Sequence, residues 1–278
     1  MSDVIEKFGV GSVIQHGIQN NRVYLMKIHK DDFPSAINYC HALVKEHGYT
    51  KIVCKVPAWA APVFIAHGYT IEAQVPQFYN GKETAFFFAK YLDSERLAGL
   101  HVDNLAQLSE ILMKGNVQAF DLDSVAQPQV HILQEQHAEE ISEVYKQVFE
   151  SYPFPIFDPS YITQTMQDGV IYFGIFEDTK LVAISSAEVD YTGQNAEMTD
   201  FATLPDYRGK KLAVILLSHM ENHMKKMNIP TVYTIARLQA PAITITFLRN
   251  SYIYSGTLIH NTHIGGSIES MNVLYKVL

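Results

Sequence analysis

A strand, a short helix and two further strands occur twice in this chain, about 180 residues apart. The first set is KIVCKV (51–56), AAPVFIAHGY, TIEAQVPQFY and TAFFFAKYL; the second is TVYTIAR (231–237), PAITITFLRN, YSGTLIHNT and SMNVLYKVL. Thr50 matches Thr231 at an offset of 181, Tyr69 matches Tyr252 at 183, and Leu92 matches Leu278 at 186. A slow drift of this kind is what small loop insertions produce between duplicated units, although two βαββ segments also align by chance. Upstream of the first set, VYLMKI and a helix from Asp32 to His47 stand where the second set has a strand and a long helix. Residues 1 to about 95 therefore read as a truncated duplicate of the C-terminal half.

The C-terminal half supplies what the duplicate lacks. Val130 to Leu133 reads as a strand, and His137 to Phe149 as a helix with Ile141, Val144, Tyr145 and Val148 on one face. SYPFPIFDP (151–159), with three prolines, is a loop. VIYFGIFED and KLVAISSAEVD form a hairpin around Asp178 and Thr179, AEMTDFATL is a further strand, and a long helix is predicted from about Lys210 to Met227. Between the halves, residues 96–128 read as a helical linker, with helix over Asp103 to Met113 and a polar stretch before Pro128.

Function classes narrow with composition. A net charge of −8 disfavours a nucleic-acid groove and suits a cationic small substrate. Cys40 and Cys54 match no metal spacing or disulfide scaffold, and the acidic N-terminus resembles no export signal, so a cytoplasmic protein without membrane segments is expected. His219 and His223 stand at i and i+4, but in the order H-x-E-x-H and without a third ligand, so no metal is expected.

The stretch FATLPDYRGKKLA (201–213) joins a strand to the long helix through a turn with one glycine and three cations. A helix N-terminus exposes unpaired N–H groups and a positive dipole end, which together cradle phosphates. Alone, R-G-K-K also reads as a solvated basic turn. Framed by the surrounding elements, it resembles the Arg/Gln-x-x-Gly-x-Gly/Ala motif of the GNAT superfamily of acetyl-CoA-dependent N-acetyltransferases, over residues 129 to 278. Lys211 stands at the central glycine. AEMTDFATLPDYRG, SYPFPIFDP, SGTLIHNTHIGGSIESMNVLYKVL and KVP…HGYTIEAQVPQFYNGKE are similar to the β-lysine N-acetyltransferase family, and this likeness spans nearly the whole chain.

The resemblance implies an α/β (α+β) fold with a mixed, mostly antiparallel GNAT sheet at 129–278, preceded by a truncated GNAT-like domain at 1–95. It also implies transfer of acetyl from acetyl-CoA to the terminal amine of β-lysine. Other small amines (lysine, ornithine, a polyamine) and a non-catalytic acyl-CoA-binding or interaction protein are the alternatives. A homodimer is compatible with any of these. Main-chain groups of Phe201, Ala202 and Thr203 would hold the acetyl and pantetheine groups where the strand splays from its neighbour. The amides of Arg208, Gly209, Lys210, Lys211, Leu212 and Ala213 would hold the pyrophosphate.

Glu197 stands where the superfamily carries a base, with Asp200 an alternative that strict strand alternation would point to the opposite face. The superfamily's usual acid, a helix tyrosine, is replaced by Phe247, which leaves Tyr252 or Tyr254. Tyr152, Phe154 and Phe157 would shape the acceptor pocket, with Glu188 and Asp190 as amine partners. Lys211 poses a conformational question: with negative φ it donates its amide as glycine would, and with positive φ the turn is strained and the non-catalytic alternative gains.

Overall fold

The computed structural model describes residues 3–97, 102–113 and 128–278, and its strands form two sheets. The first sheet contains β1 (Val4–Phe8), β2 (Ser12–Gly17), β3 (Arg22–Lys27), β4 (Lys51–Pro57), β5 (Thr70–Tyr79) and β6 (Glu83–Tyr91), in the order β1-β2-β3-β4-β6-β5. Helix α1 (Ser35–His47) links β3 to β4, α2 (Ala61–Ala66) links β4 to β5, and α3 (Val102–Met113) follows the sheet. The polar stretch expected before Pro128 lies outside the described residues.

The second sheet is built from β7 (Val130–Ile132), β8 (Ile171–Glu177), β9 (Lys180–Asp190), β10 (Asn195–Thr203), β11 (Thr231–Arg237), β12 (Ile253–Ile264) and β13 (Ser267–Val277), in the order β12-β13-β11-β10-β9-β8-β7. Helices α4 (Ala138–Val148) and α5 (Pro159–Gln167) join β7 to β8, α6 (Leu212–Lys226) joins β10 to β11, and α7 (Pro241–Arg249) joins β11 to β12.

The duplication is explicit in this topology. Read from β5 to β1 and from β12 to β8, the two sheets have the same connectivity. Each has one parallel pair, β3 with β4 and β10 with β11, and the other neighbours are antiparallel. The first sheet lacks the counterparts of β7, α4 and α5. It contains β1 and β2, which match β8 and β9 and which no sequence signal identified.

Each sheet buries one face under its long helix. Helix α1 turns Ala36, Ile37, Cys40 and Leu43 inward, an i, i+1, i+4, i+7 stripe. The amphipathic spacing of α6 places Leu212, Ile215, Leu216, Met220 and Met224 in the core of the second unit. Each such side chain contributes about 1.5–3 kcal/mol by leaving water.

A third apolar cluster joins the two units: Ala73, Val75, Phe78, Ala85 and Phe87 pack against Tyr233, Leu258, Ile264, Met271 and Val273. Here β5 and β12 approach so closely that a Cβ on Gly256 would lie 2.0 Å from the Glu72 carbonyl oxygen, so only glycine fits. A bulge between Leu258 and Thr262 pushes residues 259–261 of β12 into the first unit, where buried cations grip it. Lys51 Nζ donates to the Ile259 carbonyl at 2.7 Å, and Arg96 Nε and Nη2 donate to the His260 carbonyl at 3.0 and 2.8 Å. Arg22 Nη1 donates to the Asn261 carbonyl and to Thr262 Oγ1.

Candidate active site

Strands β10 and β11 pair only from Asn195–Thr231 to Glu197–Tyr233. Beyond Glu197 they part, while β10 remains paired to β9 and β11 to β13. The resulting gap, about 150 Å³, is lined by Thr199, Asp200, Phe201, residues 234–237 of β11 and Ala240 and Ile243 beside α7. Phe201 stands on this gap with its ring edge-on to buried Phe247 at 5.5 Å. Ala202 and Thr203 remain paired to Ile184 and Ala183 of β9.

At the far end of β10 the chain turns into α6 through Arg208–Lys211. Gly209 adopts φ +82 with open space around its α-carbon, and Lys211 adopts φ +60. Lys211 therefore adopts the strained, positive-φ alternative, at a cost of about 1 kcal/mol. The helix still starts there, because the Lys211 carbonyl accepts from the amides of Val214 and Ile215 at 3.0 and 3.2 Å. The Arg208 amide, expected in the cradle, instead donates to the Pro205 carbonyl at 3.2 Å, whereas among the described residues the amides of Gly209, Lys210, Leu212 and Ala213 donate to no backbone carbonyl, as an anion cradle requires. Lys210 lies over the Tyr207 ring at 4.6 Å, and Arg208 Nε reaches the Thr203 carbonyl at 3.4 Å.

Where the strands part, three carboxylates meet. Glu188 of β9 is the direct cross-strand partner of Glu197 and so shares its face. Asp200 joins them because β10 bulges between Thr199 and Ala202, with Asp200 at φ +56. Strict alternation would have turned Asp200 away; the extra residue re-aims it, which corrects the sequence expectation. Asp200 accepts from the Tyr152 hydroxyl, from Ser186 Oγ at 2.6 Å and from Thr199 Oγ1 at 3.3 Å. Asp200 thereby ties the proline-rich loop, through Tyr152, to β9 and β10.

All three acids line a central cavity of about 100 Å³. On one side the cavity shares Tyr152, Thr199 and Asp200 with the gap, and on the other it shares Met26, Lys55 and Glu188 with a wider cleft of about 340 Å³. The cleft also receives Asp190, Lys27, Tyr79 and Asp168. A passage thus runs from the cleft, past Glu188 and Glu197, to the parted strands.

Burial raises Glu188 well above the usual carboxylate range, and the neighbouring Glu197 and Asp200 charges raise it further, although its side chain still opens onto the cleft. Glu197 is raised by burial, opposed by the Lys55 charge and by a hydrogen bond from the Tyr233 hydroxyl. Asp200 is raised by burial against its three hydrogen bonds.

The first unit supplies one wall of the cavity through Arg22, Tyr24, Met26 and Lys55. Sequence reasoning missed all four, as it missed Tyr233. The available signal was a lysine inside the otherwise apolar IVCKV strand. Other expected residues fall differently. Phe154 lines the cavity and Tyr152 bridges it to the gap, but Phe157 packs on the core of the second unit. Tyr252 is buried in that core, edge-on to Phe247 at 4.7 Å and below Lys276. That is packing geometry, away from the residues lining the cavity and the gap. Tyr254 pairs its hydroxyl with Thr257 Oγ1 at 2.7 Å. His223 lies edge-on to Phe173, and no cluster among the described residues could hold a metal ion.

Parted parallel strands followed by an amide cradle define an acetyltransferase of the GNAT type, and the sequence matches the Acetyltransferase (GNAT) family over residues 136–244. The chain belongs to the GNAT family and is an N-acetyltransferase. It is 36% identical over 267 residues to the β-lysine N(6)-acetyltransferase of Methanococcus maripaludis, covering 96% of each chain. It is 28% identical over 276 residues to the N-acetyltransferase YodP of Bacillus subtilis, covering 99% of this chain and 98% of that one. A β-lysine N(6)-acetyltransferase of Methanosarcina mazei is 36% identical over 141 residues, covering 51% of this chain and 52% of that one. No helix among the described residues is long and apolar enough to cross a membrane.

Proposed function

We propose that this enzyme transfers the acetyl group of acetyl-CoA to the side-chain amine of β-lysine, by direct attack in a ternary complex. The observation that carries the acceptor is the mixed charge of the cavity. Glu188 and Glu197 suit ammonium groups, while Arg22 and Lys55 on the facing wall suit a carboxylate. A diamino acid presents both kinds of group, whereas a polyamine offers nothing to the cations. The names of the relatives from Methanococcus and Methanosarcina support the same acceptor.

In this reading residues 1–95 form a truncated GNAT-like domain, 96–128 a helical linker and 129–278 the catalytic domain. The amides of Gly209, Lys210, Leu212 and Ala213 hold the pyrophosphate of acetyl-CoA, with the Arg208 side chain adding charge. The main chain of Phe201, Ala202 and Thr203 runs along the pantetheine and acetyl groups. Glu197 takes a proton from the acceptor's ammonium, and the neutral amine then attacks the thioester carbon as the C–S bond breaks and the thiolate takes up a proton. Glu188 holds the second ammonium. Direct transfer is supported by the absence of a thiol at the site: Cys40 and Cys54 are buried in the first unit, and such thiols also suit a cytoplasmic protein.

Thiol release from acetyl-CoA, measured with β-lysine, lysine, ornithine and spermidine, tests the acceptor. The highest kcat/KM is expected on β-lysine; a preference for spermidine would overturn the argument from mixed charge. Glu197→Gln should lower kcat by about 100-fold or more with little change in KM for acetyl-CoA.

A further inference from the structure

Lys55 lies on β4, in the unit that has no cradle, yet it reaches across the domain boundary into the catalytic cavity. Its Nζ donates to the Tyr233 hydroxyl at 2.9 Å and sits over the Tyr233 and Phe78 rings at 5.3 and 5.6 Å. Tyr233 is the in-register parallel partner of Glu197, so the two side chains rise from the same face of the sheet, and Tyr233 is among the groups that favour the ionised form of Glu197. These contacts are directional. An ammonium has three protons and no lone pair, so Lys55 can only donate to the phenol oxygen, which leaves the phenol's single proton for Glu197.

We infer that Lys55 is a positioning residue for the catalytic base: acting through the Tyr233 hydroxyl, it aims a donor at the Glu197 carboxylate and keeps that carboxylate ionised to receive the acceptor's proton. The inference rests on reading Glu197 as the base. It gives the truncated copy a part in turnover beyond packing.

The groups around Glu197 make the need for a cation concrete. The Asp200 carboxylate faces it from the bulge of β10 and the Glu188 carboxyl, pushed up to about 8, from β9; Tyr233 faces it from β11 and Tyr24 from β3. Two cations line the same cavity, Arg22 from β3 and Lys55 from β4; Arg22 Nη1 is held by the Asn261 carbonyl and Thr262 Oγ1 and its Nη2 by Gln15, and Lys55 is the cation whose charge acts on Glu197. Burial pulls the Lys55 ammonium below its ordinary value, and the Glu197, Glu188 and Asp190 carboxylates oppose that pull. Removing the charge leaves Glu197 among carboxylates in a poorly solvated site. Its proton affinity then rises, and the base is protonated over more of the neutral range.

The test is the pH dependence of kcat/KM for β-lysine in the full-length wild type and in Lys55→Met, Lys55→Arg and Tyr233→Phe, with thermal melting as the folding check. Lys55→Met should move the acid limb up by about one pH unit and lower kcat at pH 7 about tenfold or more, with KM for acetyl-CoA unchanged within twofold. Tyr233→Phe should move the limb in the same direction, and Lys55→Arg should restore most of it. A lower melting temperature in the Met and Phe variants with an unmoved acid limb would overturn the inference and leave Lys55 a packing residue. Wild-type protein that acetylates no amine in the panel would instead sink the functional reading, and this inference with it.

Discussion

The two halves of this chain share a topology and differ in what they do with it. Aligning the parallel pairs at Arg22–Lys51 and Asn195–Thr231 places Tyr24 at the position of Glu197. The second copy has an acid there; the first has a phenol, held far from ionisation by burial and by the Glu197 charge. Ahead of its long helix the second copy has the Gly209–Lys211 turn, in which the Gly209 and Lys210 amides donate to no backbone carbonyl among the described residues. The first copy has Asp32, whose carboxylate accepts from the amides of Val10, Gly11 and Ser12 and from the Ser12 hydroxyl. At the place of the second copy's basic turn, the first copy thus has a carboxylate that ties down its own β1–β2 turn. Those hydrogen bonds hold Asp32 well below the usual carboxylate range. The first copy is not idle: β3, the strand that matches β10, walls the cavity of the second copy with Tyr24 and Met26.

The comparison can be tested hardest at Arg96. It donates to the carbonyls of Asn20, Asn21 and His260 and to Thr50 Oγ1, so it ties the two copies together. Arg96→Met leaves these buried acceptors without their donor and should cost about 3–5 kcal/mol in denaturant unfolding. A loss below about 1 kcal/mol would mean that the copies hold together without it. Next in size is Gly209→Ala. The added methyl meets open space, so the effect comes from forcing a side chain into φ +82, about 1 kcal/mol, read as a roughly fivefold higher KM for acetyl-CoA. An unchanged KM would detach the turn from acetyl-CoA binding. The smallest effect is expected from Lys211→Gly, which relieves left-handed strain and should raise stability by roughly 0.5–1 kcal/mol. A destabilised variant would show that the lysine side chain contributes more than its backbone costs.

The parts legible in the sequence were those with local causes. β11 spans Thr231–Arg237 as its β-rich run predicts, and α6 starts within two residues of expectation because the turn chemistry is written beside it. β1 and β2 were invisible. VIEKF is largely exposed edge strand without clear alternation, and the turn after it is held by Asp32, some twenty residues away. The bulge at Asp200 was equally hidden: MTDFA contains no glycine, and a bulge is defined by the partner strand. One wall of the cavity, Arg22, Tyr24, Met26 and Lys55, comes from docking one copy on the other, for which no local pattern exists. Resemblance pointed to Glu197, which lines the cavity, and to the turn before α6, while Tyr252 shows its limit. A tyrosine near the usual acid position is here one more aromatic in the core, because Phe247 and Tyr252 fill the volume under α7 together.

The cation-gripped bulge of β12 bears on assembly. Arg22, Lys51 and Arg96 make one copy's edge strand take its shape from the other copy, an arrangement that in separate chains would be a subunit interface. Here both partners lie on a single polypeptide, so their effective concentration is set by the connecting chain and not by how much protein is present. The acceptor wall therefore does not dissociate on dilution, and the specific activity of the intact chain is expected to be independent of enzyme concentration. Cutting the chain between the copies converts that constant into a binding equilibrium.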